Sequence, residues 1–121
     1  MIKLVYCITR KQGITPEAFY SYWLQHHAPK VAERQKALRA VKYVQSHAVE
    51  AELNDLLQQS RGLEAPYQGI TEVWWESADD LRAALNTADG SKAMRELLED
   101  ESTFIDFARS RVFITEEHPI F

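Results

Sequence analysis

The sequence predicts an α+β fold with the element order β-α-β-β-α-β. Three observations carry this expectation. Four segments, beginning at Ile2, Val41, Gly69 and Arg109, are rich in β-branched and aromatic residues. Two stretches of helical period, each opened by a Ser or Thr that can cap a helix, separate the first strand from the second and the third from the fourth. The length, 121 residues, suits one domain covering residues 1–121.

"IKLVYCIT" (Ile2 to Thr9) is the first strand, and "RKQG" turns it. Thr15 is placed as an N-cap, with Pro16 at the first helical position and Glu17 in the first turn. The helix is expected from about Pro16 to His27. Pro29 disfavours the helical conformation at Ala28, which predicts a break or kink there and a second helical piece in "KVAERQKAL". "VKYVQSHAV" (Val41 to Val49) is the second strand. Residues 51–68 form a long connection with a helical turn at "ELNDLLQQ". "GITEVWWE" (Gly69 to Glu76) is the third strand. Ser77 caps the next helix, "ADDLRAAL", which Asp89-Gly90 is expected to interrupt before "SKAMRELLEDE" resumes it. "FIDFA" is a short link, "RSRVFIT" (Arg109 to Thr115) the last strand, and "EEHPIF" a tail.

This order is the ferredoxin-like, split βαβ arrangement, in which helices cover one face of an antiparallel sheet. The other face then has no cover from the chain. The first strand offers Ile2, Leu4, Tyr6 and Ile8 on one side, with Val5 and Cys7 on the other. The third has Val73 and Trp75 on one side, with Ile70 and Trp74 on the other. Neither face reads as polar, and a bare apolar sheet face marks an interface or a ligand site. Two such sheets packed face to face as a homodimer would resolve it.

Composition narrows the function classes. Lys and Arg number 14 against 18 Asp and Glu, a formal charge of −4, which argues against nucleic acid or an anionic membrane as partner. Cys7 is the only cysteine, so no internal disulfide can form, and a lone thiol suits a reducing cytoplasm. The apolar N-terminus reads as a strand rather than a signal peptide, and no apolar stretch is long enough to span a membrane. Metal motifs such as HExxH, Gly-rich phosphate loops and nucleophile elbows are all missing from the sequence, so neither a metal nor a cofactor is expected.

The chemistry concentrates in "FYSYWLQHHAPKV", residues 19–31. On a helical wheel Phe19, Tyr20, Tyr22, Trp23, Leu24, His26 and His27 cover a wide arc, and only Ser21 and Gln25 point away. A helix lying on one sheet needs a narrower stripe, so this one should touch a second surface or a cavity. His27, near the expected helix end, could titrate near neutral pH and shuttle protons; its bland alternative is a histidine bonding a free carbonyl. In the second strand Tyr43, Gln45 and His47 form a file of hydrogen-bonding groups on an otherwise apolar face, which is costly unless each finds a partner. A wet or ligand-filled cavity would supply partners, as would a dimer contact.

Three separated motifs then resemble one family. "FYSYWLQHHAP" is similar to the F-x-x-Y-W-x-x-x-H-A-P stretch of the EthD-like family of the dimeric α+β barrel superfamily. "KYVQSH" resembles its Y-V-Q-x-H strand, and "FIDFARSRVFITEEH" its C-terminal ending. The resemblance implies two protomers with facing sheets and, in each, a cavity between sheet and first helix. It implies relatives that cyclise, dehydrate, decarboxylate or isomerise polyketides, lactones or aromatic compounds without a cofactor, some using flavin-free oxygen chemistry and others binding heme. By position, His27 falls on the histidine of H-A-P and His47 on that of Y-V-Q-x-H. Tyr22 and Trp23 fall on the Y-W pair, and Asp106 and Glu117 on the acidic positions of the ending.

The expectation is a small cytoplasmic homodimer that binds an apolar or aromatic small molecule and acts as a cofactor-independent lyase, cyclase or isomerase. His27 would be the general acid/base, with His47 its partner. Tyr6, Tyr22, Trp23, Tyr43, Gln45, Tyr67, Trp75 and Phe113 would contact the ligand. The alternatives are a non-catalytic binding protein serving an oxygenase or degradation pathway, and a heme protein with His27 or His47 as proximal ligand.

Overall fold

The computed structural model describes all 121 residues. Its four strands are β1 (Ile2–Ile8), β2 (Lys42–His47), β3 (Gly69–Trp75) and β4 (Arg111–Thr115). They form one sheet in the order β2-β3-β1-β4, antiparallel at every junction. The helices are α1 (Pro16–Tyr22), α2 (Ala28–Glu33), α3 (Gln35–Leu38), α4 (Ala51–Arg61), α5 (Ala78–Asn86) and α6 (Ala88–Glu101), with a short 3₁₀ helix at Phe107–Arg109. This is the ferredoxin-like arrangement read from the sequence.

The capping signals operate as expected. Thr15 accepts a hydrogen bond from the Ala18 N–H at 3.2 Å, and Ser77 accepts one from Asp80 at 3.1 Å. Such caps are worth about 1 kcal/mol each. The expected break at Ala28 is not there. Residues Trp23–His27 form a π-helical turn instead, Ala28 keeps helical dihedrals, and its N–H reaches the Trp23 carbonyl. The widened turn admits the Pro29 ring, which would otherwise strike the carbonyl one turn back. His27 is therefore mid-helix, not at a C-terminus, and the helix-dipole and end-capping readings of this residue fall away.

Asp89-Gly90 does not interrupt a helix either. The break is two positions before Asp89, at extended Thr87, whose hydroxyl accepts from Gly90 N–H at 3.2 Å and starts α6. Gly90 is needed for close approach: a Cβ there would lie 1.8 Å from the Ala84 carbonyl oxygen at the end of α5. The 51–68 connection holds a full helix, α4, none of whose residues is buried. The "FIDFA" link is tied beside β1, with Asp106 N–H donating to the Thr9 carbonyl at 2.8 Å.

Two apolar clusters lie between the sheet and the helices. One joins Ile8, Phe19, Trp23, Phe104 and Ile105; the other joins Val31, Leu38, Ala93 and Leu97. Gly69 in β3 permits the first, because a Cβ there would stand 3.0 Å from the Trp23 ring and 2.2 Å from the Ser46 carbonyl oxygen. By register, Val5, Cys7, Val44, Ile70 and Phe113 share the opposite sheet face with an ionic band. Lys3 bridges Glu72 at 2.7 Å, and Lys3 and Lys42 sit over the Trp74 ring. That face is thus mixed, not wholly apolar as expected.

Candidate functional site

A cavity of about 370 Å³ lies between the sheet and the helices, and most of its wall is hydrophobic. β1 contributes Leu4, Tyr6 and Ile8; β3 contributes Thr71, Val73 and Trp75; β2 contributes Tyr43. Trp23 and His27 reach it from the π turn, and Met94, Leu97, Leu98 and Glu101 from α6. Alternation along the strands explains this side of the wall: Tyr6 pairs with Thr71, Leu4 with Val73, and Tyr43 with Val73.

His27 is buried, and its Nδ1 lies 2.7 Å from Asp100 Oδ2. Asp100 Oδ1 accepts from Lys30 Nζ at 2.7 Å and from the Tyr22 hydroxyl. Burial alone would push the Asp100 carboxyl up, but hydrogen bonds from Lys30, Tyr22 and His27 outweigh it and hold the group at about 2. An ionised Asp100 makes Nδ1 the protonated nitrogen. Burial then pushes the imidazole below its ordinary value, against an upward pull from Asp100. At neutral pH His27 is neutral, its Nδ1–H donates to Asp100, and Nε2, which no protein group bonds, is left as the basic nitrogen.

A second acid stands in the same wall. Burial raises Glu101 to about 7, opposed by a hydrogen bond from Tyr6 and reinforced by the Asp100 charge. Burial and the neighbouring Glu101 likewise push the Tyr6 hydroxyl up, so it stays protonated. The cavity therefore combines a neutral base, an acid that titrates near neutral pH, and the hydroxyls of Tyr6, Tyr43 and Thr71. No group of three or more His, Cys, Asp or Glu has the geometry to hold a metal ion.

Of the residues expected to form a site, Tyr6, Trp23, His27, Tyr43 and Trp75 line this cavity. The others are elsewhere. His47 does not share the void with His27: its ring is stacked on Trp23 at 4.4 Å and on Tyr20 at 5.1 Å, so it lies behind the indole. Gln45 sits behind the wall, bonded to Tyr43, His47 and the Trp23 carbonyl. Tyr22 turns to Asp100. Tyr67 borders a separate hollow with Tyr20, Glu50 and Asp55, and Phe113 is half exposed on the opposite face of the sheet. Asp106 acts through its backbone, whereas Glu117 accepts from the Trp74 indole at 2.7 Å, away from the cavity.

Asp100, Glu101 and Lys30 are the residues that sequence reasoning missed. "ELLEDE" reads as a charged helix end. A signal was nevertheless present: Asp100 recurs with Ala93 and Leu97 at i, i+4 and i+7, which puts a carboxylate on an apolar stripe.

The family model for the EthD domain matches residues 11–108. Solved structures share the fold at low identity. An EthD (ethyl tert-butyl ether D) family protein from Bacillus halodurans has a TM-score of 0.64 at 19% identity, over 98% of this chain and 99% of that one. HapK from Hahella chejuensis scores 0.62 at 14% identity over 98% and 93%. SnoaB from Streptomyces nogalater, described as a cofactor-independent oxygenase, scores 0.56 at 13% identity over 98% and 93%. No curated protein matches by sequence, and no helix is long and apolar enough to cross a membrane. With the domain match running from the turn after β1 to the 3₁₀ helix before β4, the chain belongs to the EthD-domain family.

Proposed function

We propose that the protein binds an apolar or aromatic carbonyl compound in this cavity and moves a proton on it without a cofactor, as a lyase, cyclase or isomerase. The observation that carries this reading is the His27–Asp100 pair set in the wall of an apolar cavity. His27 Nε2 takes the proton from carbon next to the carbonyl, leaving an enolate. Asp100 stabilises the imidazolium that forms and keeps its tautomer. Either His27 or Glu101 then returns a proton at a different atom. Positioned proton transfer of this kind supplies about 10²–10⁴-fold in rate. SnoaB, a cofactor-independent oxygenase that shares the fold, supports chemistry without a cofactor.

The working unit is proposed to be a cytoplasmic homodimer, with Val5, Val44, Ile70 and Phe113 of each protomer facing those of the other across the free sheet face.

The test uses β-tetralone, an aromatic ketone with an acidic α-carbon, in D₂O. Proton NMR follows loss of the α-hydrogen signal. Wild-type protein is expected to accelerate exchange, and His27→Gln, which can still donate to Asp100 but cannot titrate, to slow it by about 10²-fold or more. Binding without exchange would assign the protein to the non-catalytic class. Full exchange in His27→Gln would remove His27 from the chemistry.

A further inference from the structure

The file Tyr43, Gln45 and His47 is polar, sits against the core, and is not consumed by the His27–Asp100 pair. Its hydrogen bonds have only one consistent direction. Gln45 Nε2 lies 2.9 Å from the backbone carbonyl of Trp23, which can only accept. That identifies Nε2 as the amide nitrogen. Its second hydrogen goes to the Tyr43 hydroxyl oxygen, also at 2.9 Å. The amide oxygen must then accept, and it does so from His47 Nε2 at 2.8 Å, which makes His47 the Nε2–H tautomer. The donors therefore run from His47 through Gln45 to Tyr43, with the other Gln45 hydrogen held by the Trp23 carbonyl.

Tyr43 receives a hydrogen and passes none on: its hydroxyl donates to no group of the protein, and the residue lines the cavity. Burial keeps the phenol protonated. The Trp23 indole N–H, in the same wall, is buried and lies beside the Tyr43 oxygen, so it too points at that hydroxyl and offers it no acceptor. Thr71, the cross-strand partner of Gln45, adds another hydroxyl beside Tyr43. A buried hydroxyl on the cavity wall whose hydrogen has no protein acceptor is complementary to a ligand oxygen.

The geometry points to Tyr43 as the donor that receives the oxygen of a substrate carbonyl or enolate, with its direction imposed by Gln45. This rests on the cavity's being the binding site, and it narrows the substrate to compounds whose oxygen is an acceptor. Gln45 is a positioning residue. It also holds the carbonyl of Trp23 at the start of the π turn that carries His27, so one amide aligns the donor and the element bearing the base.

The probes are acetylnaphthalene and ethylnaphthalene, which differ in a carbonyl against a methylene, titrated by tryptophan fluorescence. Wild type is expected to prefer the ketone by at least about fivefold, the worth of one net hydrogen bond. Tyr43→Phe should reduce the ratio to about one. Gln45→Glu should do the same with the phenol intact, because a carboxylate beside Tyr43 draws its hydrogen away from the cavity. A mere packing role for Tyr43 would leave the ratio unmoved in that variant. Should Gln45→Glu not fold, Tyr43→Phe still decides. His27→Gln should keep the preference and lose β-tetralone exchange, which separates the two claims. Equal binding of both probes by wild type would mean that Tyr43 spends its hydrogen on Thr71, and would overturn the inference while leaving the cavity reading intact. A preference surviving in Tyr43→Phe would overturn it too. Binding of neither probe would overturn both.

Discussion

Glu101 makes a prediction about stability that can be read without knowing the substrate. Its carboxyl titrates at about 7 in the folded protein against an ordinary value of 4.5. The folded state thus holds this proton more tightly than the unfolded chain. Between pH 4.5 and 7 the native protein binds more protons than the unfolded one, so stability falls as pH rises through that window and levels off above it. Each tenfold difference in proton affinity is worth about 1.4 kcal/mol, so ionising Glu101 removes about 3 kcal/mol by pH 8. That is a large share of a small domain's stability.

Glu101→Gln keeps the shape and polarity of the protonated acid but cannot ionise. Urea unfolding of wild type and variant at pH 4.5, 6, 7 and 8 isolates the effect, because every other group titrates in both. The difference matters: His27, held low by burial, shifts stability in the opposite direction over part of the same range. The two proteins should match near pH 4.5, and the variant should gain about 3 kcal/mol over wild type by pH 8. A difference independent of pH would mean that Glu101 is solvated and ordinary, and would remove it as a source of protons in the cavity.

Asp100→Asn leaves no charge to stabilise the imidazolium and permits the wrong tautomer of His27; β-tetralone exchange should fall by about 10²–10⁴-fold, with the base-limb inflection of the pH–rate profile moved to lower pH. The Asp100 carboxyl, held at about 2, should also lend stability that is complete above pH 3.8 and lost as pH falls toward 2, so acid unfolding should begin at higher pH in Asp100→Asn. Gly90→Ala places a methyl 1.8 Å from the Ala84 carbonyl, and a thermal melt should show destabilisation of more than about 1 kcal/mol, where a helix-propensity argument alone predicts a gain. Multi-angle light scattering at micromolar concentration should give a dimer burying more than about 1,200 Å² in total; a monomer would refute the pairing of sheet faces.

The strands and caps were legible because each depends on a local pattern. β1, β2 and β3 end within two residues of the positions expected from their β-branched runs, and Thr15 and Ser77 cap as read. The helix α4 was underestimated because it buries nothing; without an apolar stripe facing a core, the period of 3.6 carries little weight. Thr87 was overlooked because the glycine three residues on looked like the breaker, when Gly90 is there for lack of a side chain. The partner of His27 lies 73 residues away in sequence, and no local rule joins two such positions. What pairs them is the packing of α6 on the π turn, a tertiary fact. His47 shows the converse. Its motif was conspicuous, but whether the ring faces the cavity or backs onto Trp23 depends on Gly69, whose missing side chain lets the indole lie against the sheet.

The π turn itself left a trace in the sequence that a wheel drawn at 100° per residue conceals. Phe19, Trp23, His27 and Val31 are all buried, at a strict spacing of four. In an ideal α-helix each step of four overshoots a full turn by about 40°, so three steps would swing Val31 roughly 120° from Phe19 and off the covered face. A wider turn between Trp23 and His27 absorbs part of that drift. It keeps His27 between the two apolar clusters, where Asp100 can reach Nδ1 and the cavity can reach Nε2. Pro29 favours the wider turn from one side by crowding the carbonyl of an α-helical turn. Gln45 favours it from the other by bonding the Trp23 carbonyl. The broad aromatic arc is therefore two narrower stripes side by side along the helix: one packs on the sheet, and the other carries Tyr22 and Lys30 to the carboxylate that orients the base.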